Sequence, residues 1–296
     1  MIRVGPAGWS YPDWEGIVYP ADKPRGFDPL QYLARFFDTI EINSTFYRPA
    51  RPDVARRWAR RVAENEHFKF TAKLWQRFTH QRDAAWSSDE VDLAREGLDA
   101  LADTGRLGAV LIQFPWSFKA VEASQEWLAD VLGAFADYPL VVEVRHASWN
   151  QPRFYEWLAE RGSGFVNIDQ PLFGRSIEPS SRATGRVGYV RLHGRNYEDW
   201  FREGAGRDAR YDYLYDREEL ESWVERTREL ERSGSVEDVY IVTNNHFRGQ
   251  APANALMMAA MISGELQKAP ASLAAAFGET LEGLVEVEGE AQGRLL

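Results

Sequence analysis

The chain has 296 residues, a formal net charge of −10, a hydrophobic content of 44% and no cysteine. Disulfides and thiolate metal sites are therefore excluded, and the acidic balance disfavours broad attraction to nucleic acid or anionic membrane. No apolar run reaches bilayer length, and the N-terminus lacks a basic region followed by an apolar core and a cleavage site, so a cytoplasmic protein without a membrane partner is expected.

Strand-like and helix-like segments alternate from the N-terminus onward. Ile2 to Gly8 reads as a first strand, followed by a loop dense in Trp9, Tyr11, Trp14 and Tyr19. Asp28 then caps a helix that has Pro29 at its first position, with Leu30, Leu33, Phe36 and Phe37 at helical spacing. Thr39 to Asn43 is the second strand, ahead of an Arg-rich helix from about Asp53 to Glu64. Phe68 to Lys73 is the third, with Trp75, Phe78, Thr79 and His80 in its loop and a helix from about Asp89 to Ala102. Ala109 to Phe114 is the fourth; Ser124 is expected to cap the helix that follows, to about Ala136. The fifth strand starts at Leu140 and runs into Glu143, Arg145 and His146, before a helix from Pro152 to Glu160. Gly164 to Ile168 is the sixth, and too few residues precede the seventh, Val187 to His193, for a full crossover helix. A long loop and a helix from about Glu218 to Arg232 lead to the eighth, Val239 to Thr243. Pro252 is suited to the first position of the last helix, which runs to about Leu266.

Eight alternations predict one α/β fold, a closed TIM-type (β/α)8 barrel with an irregular or shortened sixth crossover. The barrel is expected over residues 1–268. Residues 269–296 form a C-terminal extension whose acidic Gly/Glu tail is expected to be partly disordered.

Barrels of this kind place their chemistry at the C-terminal ends of the strands. Polar groups cluster there: Glu41 and Asn43, Lys73, Gln113, Glu143 and Arg145, Asn167 and Asp169, Arg191 and His193, then Asn244, Asn245 and His246. Strand starts are apolar instead. Glu41, Lys73, Glu143, Asp169 and His193 are the candidate catalytic residues, because carboxylates, an amine and an imidazole on separate strands can be tuned apart as acid and base. Lys73 is also a candidate electrophilic donor or Schiff-base amine. Asn43, Gln113, Arg145, Arg191, Asn244, Asn245 and His246 are candidate ligand-binding groups, with Trp9, Trp75 and Trp149 beside the strand ends as stacking surfaces. The eighth junction, where Asn244, Asn245, His246, Arg248 and Gly249 precede a helix, has the composition of a phosphate-binding loop.

The motifs GWSYPDW, EINSTFYR, FKFTAKL with a following TH, LGAVLIQFPWSF, VEVRHASW, YVRLHG and TNNHFRGQAPANA resemble the YecE-like family, domain of unknown function 72, from Met1 to Leu266. The resemblance implies a TIM-type barrel and carries no assigned activity. The family's barrel has been compared with that of metal-dependent endonucleases acting at damaged DNA, a likeness of fold.

The favoured reading is acid/base chemistry on a small anionic, phosphorylated or polyhydroxyl ligand without a cofactor. A metal-dependent sugar isomerase or phosphodiesterase is the alternative, with Glu143, Asp169 and His193 as ligands to a divalent metal. Asn244 or Asn245 would then stand where a further carboxylate, the fourth ligand, is wanted, and His67 lies at the wrong end of its strand. A non-catalytic nucleic-acid or phosphometabolite binder is the third reading; of its basic residues, only Arg48 and Arg51 adjoin the mouth. Oligomeric state is not legible.

Overall fold

The computed structural model describes residues 1–202, 204 and 206–288. Eight strands form one parallel sheet: β1 (Ile2–Pro6), β2 (Thr39–Ile42), β3 (Lys69–Lys73), β4 (Leu107–Gln113), β5 (Leu140–Glu143), β6 (Gly164–Asp169), β7 (Val187–Leu192) and β8 (Asp238–Thr243). From β2 onward each strand pairs with its successor and β8 returns to β1, from Ile2 opposite Val239 to Pro6 opposite Thr243. The last seam, between β1 and β2, closes through the parallel bridge of Ala7 with Glu41 and the Gly8 N–H donated to the Glu41 carbonyl at 2.9 Å. This is the predicted (β/α)8 barrel, and its sixth crossover, residues 170–186, contains no helix.

The seam depends on Gly5. A Cβ there would stand 1.8 Å from the Thr39 carbonyl oxygen, backbone that cannot move aside without opening the barrel. Gly5→Ala is therefore expected to lower the unfolding free energy read from urea denaturation by several kcal/mol, about the upper end of single-site effects; a variant as stable as the parent would show that the two strands can separate freely.

Local signals explain most helices. Asp28 accepts from the N–H groups of Leu30 and Gln31 and starts Pro29–Leu33 as expected. Ser87 and Glu90 form a reciprocal capping box on Ser88–Ala102, and Asp216 and Glu219 form another on Arg217–Arg232. Two start signals mislead. The helix after β4 is Glu122–Ala134 with Val121 at its cap, so Ser124 lies inside it, buried. The last barrel helix, Gln250–Ser263, begins after Gly249 in the left-handed region, which places Pro252 in its third position and not its first.

Beyond the barrel, β9 (Gln267–Ala269) pairs in parallel with β10 (Val285–Val287) around the short helices Ala271–Ala276 and Gly278–Leu281. The expected disorder of the tail falls on residues 289–296, outside the described residues. No helix among the described residues is long and apolar enough to cross a membrane.

Candidate active site at the barrel mouth

Neighbours in a parallel ladder point to the same side of the sheet, so the register gives the barrel's inward set. Glu41 is opposite Thr71, Lys73 opposite Leu111, Gln113 opposite Glu143, and Arg191 opposite both Ile168 and Val242. Glu41, Lys73, Gln113, Glu143, Arg145, Arg191, His193 and Asn244 are thereby brought to one cup at the C-terminal end.

Arg191 is the centre of the cup. It is fully buried, with Nη1 donating to Glu143 Oε2 at 2.5 Å and Nη2 to Glu41 Oε1 at 2.7 Å. Tyr189, one inward position deeper on β7, bridges Glu41 Oε2 at 3.0 Å and Thr71 Oγ1 at 2.8 Å. The other oxygen of Glu143, Oε1, receives Arg145 Nε at 2.9 Å and lies 3.1 Å from His193 Nε2. With Nε2–H donated to Glu143, His193 Nδ1 is left to accept from Asn244 Nδ2 at 3.0 Å. Eight residues, drawn from β2, β3, β5 and β7 and from the loops just beyond β5, β7 and β8, are thus locked in one chain of hydrogen bonds.

The charges follow from that arrangement. Burial alone would push Glu143 upward, but Arg191, Arg145 and His193 hold its carboxyl well below the usual carboxylate range. His193 goes the other way: burial, with Arg145 beside it, lowers it to about 3, so it is a neutral imidazole near pH 7. The Tyr189 hydroxyl is pushed well up by burial and by the Glu41 carboxylate.

Lys73 stands apart from these pairs. Its Nζ donates to the neutral Gln113 Oε1 at 2.9 Å and sits 4.3 Å from the centre of the Phe46 ring. No carboxylate among the described residues comes within salt-bridge distance of it. Burial, reinforced by the charge of Arg191, lowers its ammonium to about 8. His80 lies edge-on to the same Phe46 ring at 4.8 Å and bonds Thr79 Oγ1 through Nδ1. Burial and the charge of Lys73 lower His80 to about 4.

Several sequence candidates are placed elsewhere. Asp169 is opposite Leu192, on the outer face of the sheet, where its carboxylate accepts from Arg195 Nη2 and from Trp223 Nε1, each at 2.7 Å. It faces the helix layer and does not meet Glu143 and His193, so the alternative metal triad is not assembled; the described residues contain no group of three or more His, Asp or Glu placed to hold a metal ion. Asn167, also outward, holds the 180–182 segment through Ser180 Oγ and the Arg182 backbone. Trp9 packs on Trp58 and Phe70 outside the barrel wall, and Trp149 is buried with Nε1 donating to the Phe118 carbonyl at 2.7 Å. Trp75 packs against Phe78 beside the Ser88–Ala102 helix.

The eighth junction is similarly occupied by the protein itself. Asn245 donates to the Tyr213 carbonyl and to Asn254, and the Arg248 N–H donates to Asp13 at 2.6 Å. His246 stacks on Tyr11, whose hydroxyl lies 3.5 Å from Asn43 Nδ2.

Residues not singled out from sequence complete the mouth. Trp200, from the loop after β7, is buried with its ring 6.3 Å from His193 and 5.8 Å from the Arg145 guanidinium. Phe46 is in the single helical turn Ser44–Tyr47 after β2. The period-two position of Tyr189, two before Arg191, was the available signal for it; for Trp200 it was the placing of an indole in the loop that follows the seventh strand.

The protein-family model for DUF72, described as a protein of unknown function, matches residues 3–276. The UPF0759 protein YunF of Bacillus subtilis is 31% identical over 280 residues, 90% of this chain and 96% of YunF. A crystal structure of a DUF72 family protein from Thermotoga maritima superposes with a TM-score of 0.76 at 33% identity, covering 89% of this chain and 99% of that one. One from Enterococcus faecalis gives 0.76 at 23% identity over 89% and 96%, a likeness of fold.

Proposed function

As a member of the DUF72 family, the chain takes its function, we propose, from the chemistry of the cup: an enzyme using Lys73 as its acid/base group on a small anionic ligand. The observation that carries this reading is the unpaired ammonium. Among the described residues, Lys73, Arg145 and Arg191 face Glu41 and Glu143, three cations against two carboxylates, while His80 and His193 are held neutral. The excess charge resides on Lys73, which is half-buried and, among the described residues, has an amide and an aromatic face as its partners. An anion is the complement of such a site.

The roles of the carboxylates are revised accordingly. Glu143 is held by two guanidiniums and an imidazole and is a poor proton acceptor; it orients Arg145 and His193. An amine that loses its proton near pH 8 can both give and take one at neutral pH. Arg145 commits Nε and Nη2 to Glu143 and leaves Nη1 without a bond among the described residues, suited to a carboxylate or phosphate oxygen.

Calorimetric titration with inorganic phosphate and with oxalate is expected to give saturable binding. Lys73→Met and Arg145→Met should each weaken it about tenfold or more, the size of one lost charged hydrogen bond. Variants that bind as tightly as the parent, or a parent that binds neither anion, would remove the reading.

A further inference from the structure

The sequence uses lysine sparingly: five lysines stand beside thirty arginines. Where the fold needs a fixed cation for a carboxylate at the mouth it uses arginine, as at Arg145 and Arg191. Lys23 is bonded to Glu15 and Lys69 lies 3.4 Å from Asp238, both away from the cup. Lys73 alone of the five is set at a strand end in the barrel mouth, on an aromatic face and, among the described residues, without a carboxylate. A guanidinium would serve a purely electrostatic purpose there at least as well, since it bonds anions through a fork and never loses its proton. What an amine adds is a lone pair.

We propose that Lys73 Nζ is a nucleophile that forms a reversible imine with the carbonyl carbon of a small oxo-carboxylate, whose carboxylate is held by the free Nη1 of Arg145. This rests on the anion-site reading above and names its substrate class. In the addition step the neutral amine's lone pair forms the C–N bond and the carbonyl oxygen takes up a proton, giving a carbinolamine. Loss of that oxygen as water breaks the C–O bond and leaves C=N, the two amine protons departing with the water; addition of water reverses both steps. No oxidant or reductant is needed. Phe46 keeps one side of Nζ dry, Gln113 Oε1 orients it, and neighbouring guanidiniums disfavour its protonated form, the combination that activates lysines for carbonyl attack. The neutral imidazole of His80, on the edge of the same ring, is the nearby group able to pass protons between amine and oxygen.

The intact protein, incubated with pyruvate and sodium cyanoborohydride, is expected to gain a reduced adduct that peptide mass spectrometry maps to Lys73. At pH 7 labelling there should outpace that at the exposed Lys119 and Lys268 tenfold or more, because a far larger fraction of its amine is neutral than at an ordinary lysine, roughly a hundredfold. The rate should rise with pH and level off above about 8. Lys73→Arg should abolish the adduct while retaining phosphate binding. Arg145→Met should slow labelling by pyruvate about tenfold yet leave labelling by acetaldehyde, which has no carboxylate, in place; that second reagent also reports that the variant's site is folded. Labelling of Lys73 no faster than of Lys119 and Lys268 overturns the inference. If phosphate binding still depends on Lys73 and Arg145 in that case, the anion-site reading stands without the imine; if it does not, both fall.

Discussion

Arg191→Met is expected to destabilise the protein by about 3–5 kcal/mol at pH 7, the usual effect of removing one partner from a buried ion pair. The native total for a domain is only about 5–15 kcal/mol, so the variant should be marginal or unfolded at ambient temperature. Arg191 is the shared partner of two carboxylates that are themselves fully buried, Glu41 and Glu143. Glu143 would keep Arg145, but among the described residues Glu41 would keep the Tyr189 hydroxyl alone. The sign of the pH dependence follows. In the parent, Glu143 lies well below its ordinary value, so its contribution is present above about pH 4.3 and is lost as pH falls through its folded value. In the variant the largest charge holding Glu143 down is gone and burial raises that carboxyl, so the deficit should shrink on going from pH 7 to pH 5. Urea unfolding of parent and variant at those two pH values measures this. An unchanged midpoint at pH 7 would show that the cup's charges are solvated and not mutually dependent.

The second large effect is acid sensitivity set by His193. Folded, the imidazole is held at about 3 by burial and the adjacent Arg145; unfolded, it takes a proton near pH 6.5. The folded value is depressed, so stability is unaffected above about pH 6.5 and falls below it as the unfolded chain binds a proton that the native state refuses. By pH 4 this one group should have removed roughly 3 kcal/mol. His80 and His146, also held down by burial, act in the same direction. His193→Gln keeps a donor for Glu143 and an acceptor for Asn244 but cannot titrate. Between pH 6.5 and pH 4 its unfolding free energy should therefore decline less steeply than that of the parent, by up to about one proton's worth of slope. Parallel curves for the two proteins would mean that His193 is protonated in the native state and that its bond to Glu143 is an ion pair.

The two effects share an origin with the proposed chemistry. Carboxylates saturated by guanidiniums, and an imidazole kept neutral, leave Lys73 as the group in the cup whose proton is exchangeable near neutral pH. The aromatic contacts serve the same end by different means, Phe46 lying under Lys73 and Trp200 covering Arg145 and His193.

Strand order, the missing sixth crossover helix and the location of the cup were legible in the linear chain because each depends on local pattern: apolar runs of strand length, capping and turn residues, and polar groups recurring at the same end of successive strands. Most of the inward set could also be read, since Val141, Glu143 and Arg145, or Tyr189, Arg191 and His193, keep one parity. β6 was misread for a definable reason. Val166 and Ile168 alternate with Asn167 and Asp169, and alternation alone does not say which parity faces inward. Pairing with β7 decides it: Val166 is opposite Tyr189, so Asp169 turns outward to Arg195 and Trp223. The indoles of Trp9 and Trp149 adjoin strand ends in sequence but fold back onto the wall, because large apolar surfaces near a loop are best buried against whichever helix lies closest.

By itself, then, the sequence determined the barrel, its polarity and which residue types meet at its mouth, because these follow from periodicity and composition along one chain. Only the tertiary structure decided which carboxylate shares which guanidinium, and that Lys73 shares none. That division depends on register and distance between strands up to 150 positions apart, and no local pattern encodes it.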